Sequence, residues 1–204
     1  MARDDAARWQ RLIELLQPIH GAALGTARRL TGSAHDGDDL LQEAVLRAHA
    51  KLDSLRDESK FRSWFFAVLL SQHRSLGRRA FWRRFLPLGD DSKRAEPAAS
   101  HEHGEDGWWR ARRVARILGK LPAVQREAIV LHELEGFSVE EVAAMQGATV
   151  SAVKSRLSRG RARLRRHYLR GGWTPANPRV AARREADGSP LGLLATSGTS
   201  GEEV

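Results

Sequence analysis

The sequence predicts an all-α protein made of two small helical domains joined by a flexible linker, the second domain being a helix-turn-helix. Alanine, leucine, arginine and glutamate dominate the composition, and the alternation of β-branched residues that marks strands is nearly absent. Apolar residues instead recur at three- and four-residue spacing, which is typical of amphipathic helices. The periodicity stops at 86–107, a stretch rich in Pro, Gly, Asp, Ser, Ala and His, so we divide the chain into domains 1–85 and 108–170.

Four helices are predicted in the first domain. They cover 5–17, 19–30, 38–52 and 61–82. Pro18 separates the first two, because a proline lacks the N–H that a helix interior needs. The segment 31–37 contains two glycines and is predicted to be a break before the third helix. A polar loop at 53–60 precedes the long fourth helix, which is apolar at first and basic towards its end.

The second domain is predicted to contain four further helices. They cover 108–119, 122–134, 138–146 and 149–169. Ser138 and Glu141 have the spacing of a capping box, Gly147 is a natural helix stop, and Thr149 can cap the next helix. Two helices joined by a short turn with a glycine form a helix-turn-helix. The last residues, 171–204, are rich in small and polar types and are predicted to be mostly disordered.

The last predicted helix has one apolar and one basic side. Its apolar seam contains Val153, Leu157, Gly160 and Leu164, and Gly160 is expected to permit close packing there. Small residues let the opposite side enter a major groove, and long basic ones reach phosphates beside it. The residues assigned to DNA are Thr149, Ser151, Lys154, Ser155, Arg156, Ser158, Arg159 and Arg163. A basic helix that is merely solvated is the alternative.

Composition narrows the function further. The formal net charge of +9 favours nucleic acid as a partner, ahead of acidic membrane or protein surfaces. The absence of cysteine excludes disulfides, cysteine-based zinc sites and thiol catalysis. No signal peptide or membrane-length apolar run is visible, so we expect a cytoplasmic protein that does not insert into membranes. His101 and His103 lack further ligands at coordinating spacing, and we expect no metal, cofactor or catalysis.

Two blocks of the chain carry a family resemblance. The segments 121–145 and 153–164 resemble the C-terminal domain of bacterial sigma factors of the extracytoplasmic-function class. The segment 36–49 resembles the family's helix that docks on core RNA polymerase, and 55–68 resembles its −10 recognition loop and following helix. The resemblance implies an alternative sigma factor, monomeric when free, that binds core RNA polymerase and promoter DNA and is often held by an anti-sigma factor. It would read the −35 element with its helix-turn-helix and help to open the −10 region.

The resemblance also implies roles for residues of the N-terminal domain. Asp39, Gln42 and Glu43 share a helix face and would contact the polymerase, although acids are also common at helix starts for their favourable interaction with the helix dipole. The loop at 55–60 would shape a pocket for a base that has left the stack. The residues assigned to −10 DNA are Leu55, Arg56, Asp57, Ser59, Lys60, Arg62, Ser71, Arg74, Arg78 and Arg79.

Some positions depart from the family pattern. Ser71 stands where the family often has an asparagine, and Ser151 and Ala152 replace a usual Gly-Thr pair. The turn carries Gln146 and Ala148 where larger aliphatic residues are common. These departures are expected to alter promoter preference. Two other functions remain open: a stand-alone DNA-binding regulator that never touches polymerase, and a sigma-like decoy that binds an anti-sigma factor.

Overall fold

The computed structural model describes residues 2–83 and 114–170, with side chains described at 4–78 and 114–167. Every regular element within these ranges is a helix, which confirms the predicted fold class. None of these described helices combines the length and hydropathy needed to cross a membrane. Five predictions lie wholly or partly outside the described residues: the linker 86–107, the beginning of the helix at 108–119, the tail 171–204, the side chain of Arg79, and the His101 and His103 pair.

The N-terminal domain consists of four α-helices and three short 3₁₀ turns. The helices are α1 (Ala2–Leu16), α2 (His20–Thr31), α3 (Ala34–Lys51) and α4 (Phe61–Arg83), and the turns are Gln17–Ile19, Leu52–Ser54 and Glu58–Lys60. Pro18 lies in the first turn, where the sequence placed a break. The fully buried side chains of Leu12, Leu30, Leu40 and Phe65 bring one residue from each helix into a common core.

Helix α3 begins four residues earlier than predicted. Gly32 ends α2 with a φ of 78°, and the Ser33 hydroxyl then accepts a hydrogen bond from the Asp36 N–H at 3.2 Å, which caps α3. Gly37, interpreted as part of a loop, is instead a buried helical residue facing α2. A Cβ at Gly37 would lie 2.6 Å from the Cα of Arg28. Gly37 therefore permits a close approach of two helices. The sequence alone does not distinguish such a glycine from one in a loop.

The C-terminal domain contains a helical turn and three longer elements around a second core. We name them α5 (114–118), α6 (Ala123–Ile129), which continues as a π-helical turn (Val130–Leu134), α7 (Val139–Gln146) and α8 (Val150–Arg170). The predicted capping box is confirmed: Ser138 N–H donates to Glu141 Oε2 at 2.9 Å, and Glu141 N–H donates to Ser138 Oγ at 3.1 Å. Gly147 ends α7 with a φ of 57°, as predicted.

The apolar seam of α8 is confirmed as buried. Val153, Leu157, Gly160 and Leu164 all face the interior of the C-terminal domain. A Cβ at Gly160 would lie 2.9 Å from Cγ1 of Ile129, so α8 approaches α6 more closely there than an alanine would allow. The packing explanation for this glycine is therefore confirmed.

The two domains pack against each other, mainly through α4 and α7. Phe137, just before α7, is 2% exposed, and its ring meets that of Phe66 edge-to-face at 5.0 Å. The guanidinium of Arg62 lies over the ring of Phe137, with Cζ 4.0 Å from the ring centroid, and 5.4 Å from the centroid of Phe66. This aromatic contact anchors the helix-turn-helix on the N-terminal domain.

Candidate functional site

Helix α3 exposes all three residues predicted to bind polymerase. Asp39, Gln42 and Glu43 lie on the solvent side, opposite the buried residues Leu40 and Ala44. Asp39 Oδ2 lies 3.6 Å from His35 Nδ1 one turn earlier, and both side chains are well exposed. The face is therefore accessible to a large partner.

Sequence reasoning missed one residue of this face. Leu46 is 57% exposed and lies one turn after Gln42 and Glu43, so it continues their line along α3. One exposed leucine is ordinary, but an apolar side chain in line with acidic and amide groups gives the face the mixed character of a protein-binding surface. The position of Leu46, four residues after Gln42 in a predicted helix, could have placed it on this face from the sequence alone.

The predicted −10 loop is held in shape by its own side chains. Asp57 Oδ1 accepts hydrogen bonds from the Ser59 N–H at 3.0 Å and the Ser59 hydroxyl at 2.6 Å. These hydrogen bonds lower the pKa of Asp57 below its usual value, because they favour the carboxylate. Leu55 is only 8% exposed, whereas Arg56 and Lys60 project into solvent. Asp57 and Ser59 thus order the loop, and Arg56 and Lys60 are its exposed basic side chains.

A cavity of about 460 Å³ opens beside this loop. Leu55, Arg56 and Trp64 line its N-terminal side. Glu141 and Met145 of α7 line the opposite side, so the cavity lies between the two domains. The partly buried Trp64 gives the cavity an aromatic surface of the kind on which unpaired bases stack, and the charged residues of the lining are two basic and two acidic ones, Arg56, Lys60, Asp57 and Glu141.

The predicted −10 residues of α4 fall into two groups. Ser71 and Arg78 are exposed. Arg62 and Arg74 instead contact the C-terminal domain: Arg62 donates to the Glu135 carbonyl, and Arg74 Nη2 donates to Glu127 Oε2 at 2.7 Å. Two of the predicted −10 contacts are therefore engaged inside the molecule.

Glu127 is the acidic centre of this interdomain contact. Its side chain is 1% exposed and meets both Arg74 and His73, whose Nδ1 lies 3.4 Å from Oε1. Burial alone would raise the pKa of Glu127, but the contacts with His73 and Arg74 outweigh it and hold that pKa below its usual value. Arg74 is the closer of the two and carries a permanent charge. The sequence placed Glu127 inside an apolar helix without marking it as functional.

Helix α8 presents most of its predicted DNA-reading residues to solvent. Thr149, Ser151, Lys154, Ser158 and Arg159 are exposed, and Ser155, Arg156 and Arg163 are half-buried. The Thr149 hydroxyl accepts from the Ala152 N–H at 3.2 Å, so it caps α8 as predicted. Arg161, on the rim, is paired with Glu133 at 2.7 Å from Nε to Oε1. The outer side of the helix thus has small polar residues with cations at its edges.

Gln146, noted in the sequence only as a departure, joins several of these groups. Its Oε1 accepts from Arg156 Nη1 at 2.7 Å. Its Nε2 donates to the Val124 carbonyl at 3.0 Å and to Glu127 Oε2 at 3.1 Å. A chain of hydrogen bonds therefore runs from Arg74 on α4 through Glu127 and Gln146 to Arg156 on α8. No group of three or more potential ligand side chains suited to a metal ion occurs among the residues of 2–83 and 114–170 that the structure describes.

Family models match both domains. Residues 15–82 match the family described as Sigma-70 region 2, and residues 111–164 match the one described as Sigma-70, region 4. The chain is 38% identical over 173 residues to RNA polymerase sigma factor CnrH of Cupriavidus metallidurans, which covers 80% of this chain and 90% of that protein. It is 35% identical to ECF RNA polymerase sigma factor SigM of Mycobacterium tuberculosis over 75% of this chain and 74% of that one.

Solved structures show the same architecture. The structure of CnrH in complex with the cytosolic domain of CnrY is similar at a TM-score of 0.57 and 31% identity, covering 83% of this chain and 96% of that one. The structure of the sigma factor RpoE in complex with the anti-sigma factor NepR from Bartonella quintana is similar at a TM-score of 0.56 and 30% identity, covering 74% and 92%. Both similar proteins were solved with a bound partner.

Proposed function

Since this chain belongs to the extracytoplasmic-function group of sigma-70 RNA polymerase sigma factors, we propose that its two domains divide promoter recognition between them. The chain is an alternative sigma factor that directs RNA polymerase to promoters. The N-terminal domain docks on core polymerase and helps to open the −10 region, and the helix-turn-helix reads the −35 element. Such factors initiate transcription without catalysing it. We assign no catalytic role to this chain and place it in the cytoplasm, as a monomer until it joins the polymerase.

The observation that carries this assignment is the two-sided arrangement of α8. Val153 and Leu157 are buried while Ser151, Lys154 and Arg159 of the same two turns are exposed. A capped turn after α7 sets α8 as the second helix of the motif, which is the helix that enters the major groove. The small outer residues permit close approach to base edges, and the cations at the rims reach phosphates.

The exposed face of α3 supports polymerase docking by the N-terminal domain. Asp39, Gln42 and Glu43 lie outside the contact between the two domains, so the polymerase reaches them without any rearrangement. Leu46 adds an apolar contact to the same face. We therefore propose that docking comes first in the order of events.

Contact with −10 DNA requires the domains to part. Arg62 and Arg74 bind acceptors of the C-terminal domain, and α7 covers one side of the cavity beside the −10 loop. Domain interfaces within one chain resemble transient protein contacts and open readily. We propose that polymerase binding separates the two domains and thereby releases both arginines and the cavity for the non-template strand.

An anti-sigma factor is a proposed second partner. Of the similar proteins of known structure, CnrH was solved in complex with the cytosolic domain of CnrY, and RpoE in complex with the anti-sigma factor NepR. A comparable partner would hold this chain in an inactive state until a signal releases it. To test for such a partner, a tagged chain is purified from cells, and the fraction that contains no polymerase is analysed for a co-purifying protein.

The decoy hypothesis is kept as a second candidate because of the substitutions at Ser71, Ser151 and Ala152. Ser71 and Ser151 are exposed on the two DNA-facing helices, so changes there act on DNA contact without disturbing the fold. A decoy would retain the interface for an anti-sigma factor and lose promoter activity.

Run-off transcription with purified core enzyme distinguishes the candidate functions. The proposed function predicts transcripts that depend on this chain, from promoters found by sequencing start sites after overproduction. A stand-alone regulator would bind duplex DNA tightly without core enzyme and produce no such transcripts. A decoy would bind an anti-sigma factor or the core enzyme and leave transcription unchanged. Either of these results overturns the proposal.

Docking is tested separately by affinity for core enzyme. The double variant Asp39→Ala and Gln42→Ala is expected to bind about ten-fold more weakly, as two interface side chains of roughly 0.5–1 kcal/mol each would imply. Gln10→Ala with Glu14→Ala removes a similarly exposed amide and acid from α1 and serves as the matched control. Equal weakening in both double variants would contradict a specific role for α3.

A further inference from the structure

We infer that Gln146 is a positioning residue for −35 recognition, which holds the guanidinium of Arg156 ready to contact a base. The inference deepens the proposed function and rests on it. It names a residue outside the DNA-facing surface that sets how one reading side chain is presented. The sequence alone singled out Gln146 only as an unusual residue in the turn.

The orientation of the Gln146 amide follows from its partners. The side chain is buried, with 6% of the residue exposed, at the last position of α7. Val124 O and Glu127 Oε2 are both acceptors, so the amide nitrogen must face them. The amide oxygen is thereby directed at Arg156, whose Nη1 donates to it at 2.7 Å. Two anchors within the domain thus fix the acceptor that holds the arginine.

The braced arginine keeps most of its binding capacity. A guanidinium has five N–H donors, and the bond to Gln146 uses one of them. The remaining donors can form the two parallel bonds by which arginine recognises guanine or grips a phosphate. Because the side chain is already ordered, it loses less conformational entropy on binding DNA. Lys154 and Arg159, on neighbouring turns of α8, have no such brace among the described residues.

The hydrogen bonds of the brace lie within one domain. Val124, Glu127, Gln146 and Arg156 all belong to the C-terminal domain, and Arg74 of the N-terminal domain contacts the brace at Glu127 and at the backbone carbonyl of Gln146, 3.2 Å from its Nη1. The aliphatic side chains common at this turn in the resembled family could not accept a hydrogen bond from arginine. The hydrogen bond from Arg156 to Gln146 is therefore not something that the resemblance implies.

The experiment measures base preference rather than activity alone. Holoenzyme reconstituted from core polymerase and the full chain transcribes a promoter library with a randomised −35 region, and the transcripts are sequenced. The variants are Gln146→Met, Arg156→Ala and the two combined. Gln125→Met is the matched control: Gln125 is 7% exposed, and in the part of the chain that the structure describes it forms no side-chain hydrogen bond with Arg156 and its Oε1 has no hydrogen-bond partner. Thermal unfolding verifies folding, and Gln146→Leu replaces Gln146→Met if the latter is unfolded.

The expected result is reduced preference at one place in the −35 region. Arg156→Ala loses discrimination there by about ten-fold, the range of one good arginine–base contact, and Gln146→Met loses part of it at the same place. The double variant resembles Arg156→Ala alone, because Gln146 acts through that arginine. Gln125→Met keeps the wild-type profile.

Three results would overturn the inference. The first is a Gln146→Met profile identical to wild type, and the second is an even decrease in its transcription over all −35 sequences, as a merely structural role would produce. The third is an Arg156→Ala variant that keeps every preference intact. Failure of the wild-type chain to select any promoter from the library would instead refute the proposed function itself, so the two failures are distinguishable.

Discussion

At the scale of single residues, Gly37 shows how one missing methyl group sets a helix–helix distance. A Cβ at this position would meet backbone atoms of Arg28 at 2.6 and 2.7 Å, and backbone cannot rotate away as a side chain can. Gly37→Ala is therefore expected to lower the free energy of unfolding by about 3 kcal/mol, at the upper end for overpacked sites. Gly77→Ala, on an open face of α4, is the matched control and should stabilise by about 0.5–1 kcal/mol. Chemical denaturation measures both, and equal behaviour of the two variants would contradict the close approach.

Glu127 provides a prediction about pH at the same scale. Its pKa lies below the usual 4.5, so its ion pair with Arg74 contributes fully above that pH and is lost as the pH falls through the lowered value. Glu127→Gln should lower the free energy of unfolding by about 2 kcal/mol at neutral pH. This loss is smaller than that for a fully buried ion pair, because Arg74 is 30% exposed. The difference in unfolding free energy from wild type should be constant at neutral pH and shrink below about pH 4. A difference that grows on acidification would contradict the assignment.

At the scale of elements, α8 predicts how DNA binding responds to salt. Lys154 and Arg159 are exposed, so each is available to displace a counterion from a phosphate. Replacing both with alanine should reduce the slope of log affinity against log salt by roughly 0.9 for each phosphate that is no longer neutralised. Arg161→Ala is the control, because Arg161 is already paired with Glu133. The slopes are measured by titrating the binding of holoenzyme to promoter duplex with salt. An equal change of slope for Arg161→Ala would contradict the distinction between the exposed Lys154 and Arg159 and the paired Arg161.

The sequence predicted elements best where local chemistry decides them. The capping box of Ser138 and Glu141, the stop at Gly147 and the seam of α8 each depend on residues close in the chain, and the structure confirms them. The predicted start of α3 was wrong because Gly37 is used for contact with α2, which lies outside any local window. The π-helical turn at Val130–Leu134 had no signal in the spacing of apolar residues.

At the scale of the whole molecule, sequence reasoning predicted two binding surfaces but not how the two domains contact each other. The sequence around Glu127 and Phe137 does not indicate that they contact the N-terminal domain. Their partners, Arg74 and Phe66, are distant in the chain and become neighbours only through the fold. The α3 face is exposed, while Arg62 and Arg74 are engaged with the C-terminal domain. The proposal that docking precedes opening rests on this difference.

Permanganate footprinting of promoter DNA tests the central claim most directly, because it detects unpaired thymines at the −10 region. The account predicts reactive thymines with wild-type holoenzyme, and few with Asp39→Ala plus Gln42→Ala or with Lys154→Ala plus Arg159→Ala. The first pair impairs docking, and the second impairs −35 recognition. Reactivity that persists in both double variants, or that the chain produces without core enzyme, would contradict the account.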